Sequence, residues 1–389
     1  MTTVEGFWPE QWSPLVAQFK DNFSNLGEEG AALAVVKKGE CIASLWAGHR
    51  DRQRSLPWQE STPVNIFSAG KPLVATAVLH LAQTGSLDLQ RPINDYWPEF
   101  GTRGKELITT EQVLSHTSGL SAFHPTVKEH VIFEPALVRS LLAVETPWWE
   151  PGTQQGYSPF LYGWILAELV RRVSGAESFN DYFQAEIAQP LNLNVYFGVP
   201  ETEQWQLAEV APLKRQLAHT AHSSPGASSV ELGKLMKQDP RGVTNRAFSN
   251  PPSLMGSTNS AAWRSAEIPA AAGHASARAL AGFYGALLTE RSPLQADTLR
   301  SAVREHSAAV DAVLAVELRF GHGFMLSRPQ ADCHFGTQAG FGHPGAGGSV
   351  GFADPETGIG FAYVTARMGQ SVLIDRRAQA LIQALYACL

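Results

Sequence analysis

The amino-acid sequence predicts an α+β fold in which one antiparallel sheet is assembled from both ends of the chain, flanked by helices, with a mainly helical lobe inserted between them. Two observations carry this expectation. Apolar, extended runs with tight turns occupy residues 31–48 and 348–366. The stretch between them carries helical spacing of apolar residues, broken by Pro and Gly. The expected division is a discontinuous sheet domain, residues 1–95 and 270–389, around a helical lobe, residues 96–269. A cleft is expected between the two.

Taken in order, residues 11–26 place Trp12, Leu15, Val16, Phe19 and Phe23 on one side of an amphipathic helix. Residues 31–40 and 41–48 read as two strands joined at Lys38-Gly39, a hairpin with a tight glycine turn. Val74, Ala77, Val78 and Leu81 share one face of a helix that opens at Phe67-Ser68 and closes at Gly85. Thr109 or Thr110 caps a short helix running into the His116-Thr117-Ser118-Gly119 turn. Further helices are expected over 133–142, after Pro159 up to Gly175, and over 178–188 with Pro190 as its stop. Residues 200–265, with Ser223-Ser224-Pro225-Gly226 and Asn250-Pro251-Pro252-Ser253, read as loop with short helices. A helical period returns over 274–289. Strands 348–355 and 360–366 flank an Asp-Pro-Glu-Thr-Gly turn in which Asp354 is expected to cap, and a helix over 372–386 closes the chain.

Composition bounds the function. In 389 residues, 17% charged and 44% hydrophobic describe an ordinary folded chain rather than a disordered one. A net charge of −6 without a basic run argues against nucleic acid or an anionic membrane as partner. Cys41, Cys333 and Cys388 are odd in number and far apart, so free thiols are expected rather than a disulfide framework or a zinc site. The N-terminus lacks a signal-peptide pattern, and no apolar run approaches the roughly 20 residues of a membrane span. A cytoplasmic location, no metal and no cofactor are the expectations; monomer and homodimer stay open.

Three separated stretches carry chemistry. Ser68 and Lys71, three apart on a helix start, point the same way, and a desolvated lysine amine can serve as base toward a serine. The dipole and free N–H groups of a helix N-terminus favour negative charge developing there. Gly156-Tyr157-Ser158 follows a Glu150-Pro151-Gly152-Thr153 turn, and Gly342-His343-Pro344-Gly345-Ala346-Gly347-Gly348 precedes a strand. Acyl transfer through serine needs a base, a group returning a proton to the leaving group, and N–H donors for the oxyanion. Lys71 and Tyr157 can fill the first two roles jointly, and an adjacent ammonium is expected to favour the Tyr157 phenolate.

With Trp97-Pro98-Glu99-Phe100, Leu114-Ser115-His116-Thr117-Ser118-Gly119-Leu120 and Gly163-Trp164 through Arg171-Arg172 in the same order, the chain resembles the serine β-lactamase and penicillin-binding-protein superfamily. It is most similar to the branch holding class C β-lactamases and the family VIII carboxylesterases. The resemblance implies a β-lactamase/transpeptidase-like fold, Ser68 as acylated nucleophile, Lys71 as proton acceptor and Tyr157 as shared base and shuttle. It also implies that His343-Pro344-Gly345 replaces the Lys-Thr-Gly element, and that the N–H groups of Ser68 and Ala346 form an oxyanion hole. Two departures bear on the substrate. Pro159 stands where β-lactamases carry the Asn of Tyr-x-Asn, and His343 stands where they carry a lysine that helps place a carboxylate.

Both departures weaken recognition of an anionic β-lactam more than of a simple ester. The expected function is therefore hydrolysis of small carboxylic esters with short acyl chains. A β-lactamase, a D-aminopeptidase or amide hydrolase, an acyltransferase, or a catalytically silent scaffold are the alternatives. Trp148 and Trp149 can line the acyl pocket beside Pro159 or serve in lobe packing. His116 and Ser118 read as a hydrogen-bonded corner near the cleft, and Arg171-Arg172 as a solvated or ion-paired helix face.

Overall fold

A computed structural model describes residues 2–212, 232–328, 333–369 and 371–389; the Ser223-Pro225-Gly226 loop lies outside the described residues. The first part of the chain runs β1 (Val4–Phe7), α1 (Ser13–Ser24), β2 (Gly30–Lys37), β3 (Glu40–Gly48), β4 (Val64–Asn65), α2 (Lys71–Gln83), α3 (Thr110–Leu114), α4 (Pro135–Val144) and α5 (Leu161–Ser174). Then come β5 (Val195–Phe197), β6 (Gly273–Ala275), β7 (Ser307–Val310), β8 (Glu317–Phe320), β9 (Met325–Leu326), β10 (Phe341–Pro344), β11 (Val350–Asp354) and β12 (Ile359–Thr365). A helix over Arg376–Tyr386 closes the chain.

Both ends meet in one antiparallel sheet of order β1-β3-β2-β12-β11-β10-β9-β8-β7 among the described residues. The seam is β2 on β12, where Leu33 faces Tyr363 and Val35 faces Phe361. Residues 31–36 form an unbroken apolar run because both faces of β2 are covered. Leu33 and Val35 pack toward Phe19, Leu381 and Leu385 of α1 and the C-terminal helix. Ala32, Ala34 and Val36 pack toward Leu280, Phe283 and Tyr284 of the helix Ala277–Leu287. The hairpin between β2 and β3 turns at Lys38 (φ 53°) and Gly39 (φ 81°), the pair of positive φ values a type I′ turn needs.

The inserted segment is helical, as expected. Residues 71–79 of α2 are all buried, so this helix is apolar all round, and it packs against α5 of the inserted segment. Thr109 closes a capping box with Gln112 at the start of α3, and Gly175 at φ 74° ends α5. Arg171 and Arg172 both pair with Glu168, at 2.9 and 2.6 Å, the ion-paired face the sequence suggested. Asp354 caps its turn through the Glu356 N–H at 3.0 Å. Among the described residues no helix is long and apolar enough to cross a membrane.

Several boundaries differ from expectation. Pro190 does not stop its helix: residues 179–191 continue through a π turn at Gln184–Ala188 and end at Asn192, φ 55°. The wider turn makes room for a ring that would otherwise clash one turn back. His274 and Ala275 belong to β6, and Ser276 caps the helix expected from 274. Asp375 caps the last helix, which begins at 376 rather than 372; the helix expected over 133–142 spans 135–144 after a 3-10 turn at Glu129–Phe133. Glu40 opens β3 rather than ending β2. The edge strands β1 and β7 carry largely exposed side chains and hence no buried alternation to read.

A buried ionic network supports the sheet's far face. Arg377 donates to Glu28 Oε2 at 2.8 Å, Asp375 Oδ2 at 2.7 Å and the Gly347 carbonyl at 2.6 Å. Tyr363 and Thr365 also donate to Glu28. Removing the guanidinium strands two carboxylates in the interior. Arg377→Met is expected to lower the urea unfolding free energy by about 3–5 kcal/mol. A loss below about 1 kcal/mol would mean that these charges behave as a solvated surface pair.

Candidate active site

The approach to Ser68 is strained. Phe67 holds φ 48°, costly for a bulky residue, and Asn65 Oδ1 accepts its N–H at 3.1 Å to stabilise the corner. Residues 67–70 then form a 3-10 turn, so Ser68 lies just ahead of α2 rather than within its first α-turn. Side chains three apart nearly eclipse in a 3-10 geometry. Lys71 Nζ lies 3.1 Å from Ser68 Oγ.

Lys71 is fully buried, and desolvation alone pushes its pKa well below the ordinary lysine range. Its Nζ has two further neighbours, the carbonyls of Pro159 at 3.0 Å and Ala270 at 3.2 Å. A carbonyl can only accept. A neutral amine that gives its two N–H bonds to these carbonyls therefore directs its lone pair at the Ser68 hydroxyl. That arrangement accepts a proton; an ammonium would have no lone pair to offer. Ala270 reaches Nζ because α5 carries Gly163, where a Cβ would stand 2.3 Å from the Ala270 nitrogen.

Tyr157 sits beside the pair, its ring centroid 4.8 Å from Lys71 Nζ and its phenol within hydrogen-bonding reach of Ser68. Its backbone is pinned on both sides. The Tyr157 N–H donates to buried Asp311 Oδ2 at 2.8 Å, the Gly156 N–H to the His116 carbonyl at 2.9 Å, and the Ser158 N–H to His116 Nδ1 at 3.2 Å. Burial raises the Tyr157 pKa above its ordinary value; the Ser68 hydrogen bond lowers it and the Asp311 charge raises it further. The sequence had suggested a phenolate stabilised by ammonium. Burial acts against that charge pair in both groups, pushing the Tyr157 pKa up and the Lys71 pKa down.

His343 lies in β10, opposite Gly351 of β11. Its Nδ1 stands 2.7 Å from the Pro344 carbonyl, so Nδ1 carries the proton and Nε2 is an acceptor, buried without a partner among the described residues. Burial, reinforced by any charge on Lys71, pushes its pKa down to about 3. The strand thus offers no cation where the sequence comparison had a lysine. The ring centroid is 5.9 Å from that of Tyr157.

Beyond His343 the chain meets the serine turn. A Cβ on Gly345 would lie 2.2 Å from the Ile66 carbonyl, so only glycine permits this approach. The N–H groups of Gly345, Gly347 and Gly348 are used by Ser349, Ser371 and Gly345 carbonyls. Those of Ser68 and Ala346 have no hydrogen-bond partner among the described residues.

The remaining expected residues have packing contacts. Trp148 donates to the Ala122 carbonyl at 2.9 Å and stacks on His124, with centroids 4.0 Å apart. Trp149 donates to the Gln154 carbonyl at 3.1 Å, and its ring fills the space beside Gly156. Pro159 contributes a carbonyl to Lys71 rather than a side-chain wall. His116 is the buried corner expected, with Ser118 beside it, but its ring also touches those of Tyr157 and Tyr162 at 5.0 Å each. Sequence reasoning missed Ala270 and Asp311. Backbone carbonyls leave no residue signature, and Asp311 stands in a loop without a motif.

Comparison with known proteins places this geometry. A profile of the Beta-lactamase family matches residues 19–384. The chain is 31% identical over 386 residues to the esterase/beta-lactamase LipL of Mycobacterium tuberculosis, covering 94% of this chain and 83% of the relative. It is 40% identical over 95 residues to the esterase EstB of Burkholderia gladioli, covering 23% and 24% of the two chains. Among solved structures it is similar to a family VIII carboxylesterase (TM-score 0.87, 31% identity) over 100% of both chains. A penicillin-binding-protein homologue from Caulobacter crescentus is similar to the same degree (TM-score 0.87, 32% identity, 100% of both chains).

The protonation states set a pH profile for acylation of Ser68 by a chromogenic acyl donor. With the free amine of Lys71 as base, the second-order rate is expected to fall on acidification through the lowered Lys71 pKa and to stay level on the alkaline side. A rate that climbs with a midpoint of about 10, the ordinary value of lysine and tyrosine alike, would contradict a base whose pKa burial has lowered.

Proposed function

The chain belongs to the Beta-lactamase family, and from that premise we propose that it is a serine hydrolase cleaving small carboxylic esters through an acyl-enzyme on Ser68. The observation carrying this reading is the buried Lys71 amine, with two carbonyl acceptors and the Ser68 hydroxyl around its nitrogen.

In the proposed reaction Ser68 Oγ bonds to the ester carbonyl carbon while its proton passes to Lys71 Nζ. The carbonyl oxygen becomes an oxyanion between the N–H groups of Ser68 and Ala346. Collapse breaks the bond to the alcohol oxygen, which takes the Tyr157 phenol proton; Lys71 returns a proton to Tyr157. Water then attacks the acyl-enzyme, giving its proton to the same amine, and Ser68 leaves with a proton restored. The resting site is neutral at both Lys71 and Tyr157, so each turnover begins and ends in the same state.

Ester specificity follows from what the cleft omits. Pro159 offers no side-chain donor to hold a substrate amide, and neutral His343 offers no charge to a carboxylate. An uncharged ester needs neither. The esterase names of LipL, EstB and the family VIII structure support the same substrate class. The acyl chain is proposed to be short.

Intact-mass analysis after fluorophosphonate treatment should show one adduct on the native chain and none on Ser68→Ala; an undiminished adduct on the variant would remove Ser68 from the mechanism. Tyr157→Phe is expected to lower kcat by about 10²–10⁴-fold with the fold intact. In a panel of p-nitrophenyl esters beside nitrocefin, kcat/KM should be highest for the short chains. Nitrocefin turnover rivalling those esters would reverse the substrate assignment to a β-lactam.

A further inference from the structure

Away from Ser68, three side chains converge that the reaction does not use. Glu111 comes from the first turn of α3, His306 from the residue before β7, and His322 from the β8–β9 turn. His306 Nδ1 and His322 Nε2 each lie 3.2 Å from Glu111 Oε1, and one ligand atom from each of the three residues falls within 4.8 Å of the others. We propose that Glu111, His306 and His322 form a site for a borderline divalent first-row cation, zinc foremost, that clamps α3 to the edge of the sheet.

The distances fit the chemistry. Metal–ligand bonds of about 2.0–2.2 Å in a tetrahedron place ligand atoms about 3.3–3.5 Å apart. Two imidazole nitrogens and one carboxylate oxygen form a donor set suited to zinc rather than magnesium or calcium. His306 Nε2 lies 3.0 Å from the Ser301 carbonyl, the outer hydrogen bond that fixes a ligating imidazole with its other nitrogen free for the ion. His322 lines a surface cavity of about 630 Å³, together with Asp88, Asp297 and Ser301. Solvent from that side supplies a fourth ligand. The two rings stack with centroids 3.4 Å apart and 21° between their planes, so binding one cation in the plane of both requires one imidazole to turn about its Cβ–Cγ bond. The charge of Arg304 also reaches His322, and the Glu111 carboxylate offsets it.

The backbone around the site is already tied. His322 N–H donates to the Ala302 carbonyl at 2.8 Å, Gly323 N–H to the Leu114 carbonyl at 3.0 Å, and Ser307 Oγ to the Ser115 carbonyl at 2.8 Å. A cation here adds a cross-link between α3, which runs into the His116 corner under Tyr157, and the β7–β8 hairpin, whose loop carries Asp311. Its effect is on stability rather than on the reaction.

The test uses full-length, tag-free protein stripped with a chelator and dialysed, then titrated with ZnCl₂ by calorimetry and followed by thermal melting. Wild type should bind one Zn²⁺ per chain and melt higher with zinc, while the same concentration of MgCl₂ leaves the melt unchanged. Glu111→Gln, which keeps an acceptor for both rings, and His306→Gln should each weaken zinc binding by roughly 100-fold or more. Absence of zinc binding by wild type, or wild-type affinity and melting shift in both variants, would overturn the proposal and leave an ordinary hydrogen-bonded triad.

Discussion

A primary amine withdrawn from water is costly as a cation and tolerable as a free base, and the burial of Lys71 shifts its balance toward the second state. Burying it takes a helix that is apolar on every side, and α2 is one. Satisfying it takes two backbone carbonyls, and these come from Pro159 at the foot of α5 and Ala270 ahead of β6. Residues 71, 159 and 270 are far apart in the chain, so the site exists only once these three segments have packed together. Gly163 lets Ala270 approach, and Gly345 lets the turn after β10 reach the serine backbone.

Two further buried titratable groups, Asp311 and Arg377, act through the main chain. Asp311 holds the Tyr157 N–H, and it also accepts from Val313 and Leu314. Arg377 holds the Gly347 carbonyl, one residue from the free Ala346 N–H. Neither touches Ser68. Each fixes a peptide unit next to a proposed reacting group, and a buried charge that is fully hydrogen-bonded is suited to that task because its geometry tolerates little slack. The strain at Phe67 belongs with them: the surroundings hold a corner that the local sequence would not choose.

Much of this was legible in the sequence where the signal is local. The Lys38-Gly39 hairpin, the Thr109 cap, the Gly175 stop and the strands flanking Asp354 depend on residues within a turn of one another. Ser68, Lys71, Tyr157 and His343 were legible as a set because their order and chemistry agree with a known family. What escaped the sequence was long-range. Edge strands β1 and β7 bury no regular face, and the helix starts at 277 and 376 depend on Ser276 and Asp375 capping from one residue outside. The acceptors of Lys71 are peptide carbonyls, which any residue type supplies. The sequence expectation of a Tyr157 phenolate rested on proximity to a lysine, whereas burial acts on both groups and opposes the charges that argument needs.

The neutrality of the Lys71 amine can be observed directly by NMR of protein labelled with ¹⁵N at lysine Nζ, with Lys71→Met used to assign the resonance. The account predicts a neutral-amine signal for Lys71 at neutral pH, because burial lowers its pKa well below the ordinary lysine value. An ammonium signal that persists to the ordinary lysine range of about 10 would contradict it.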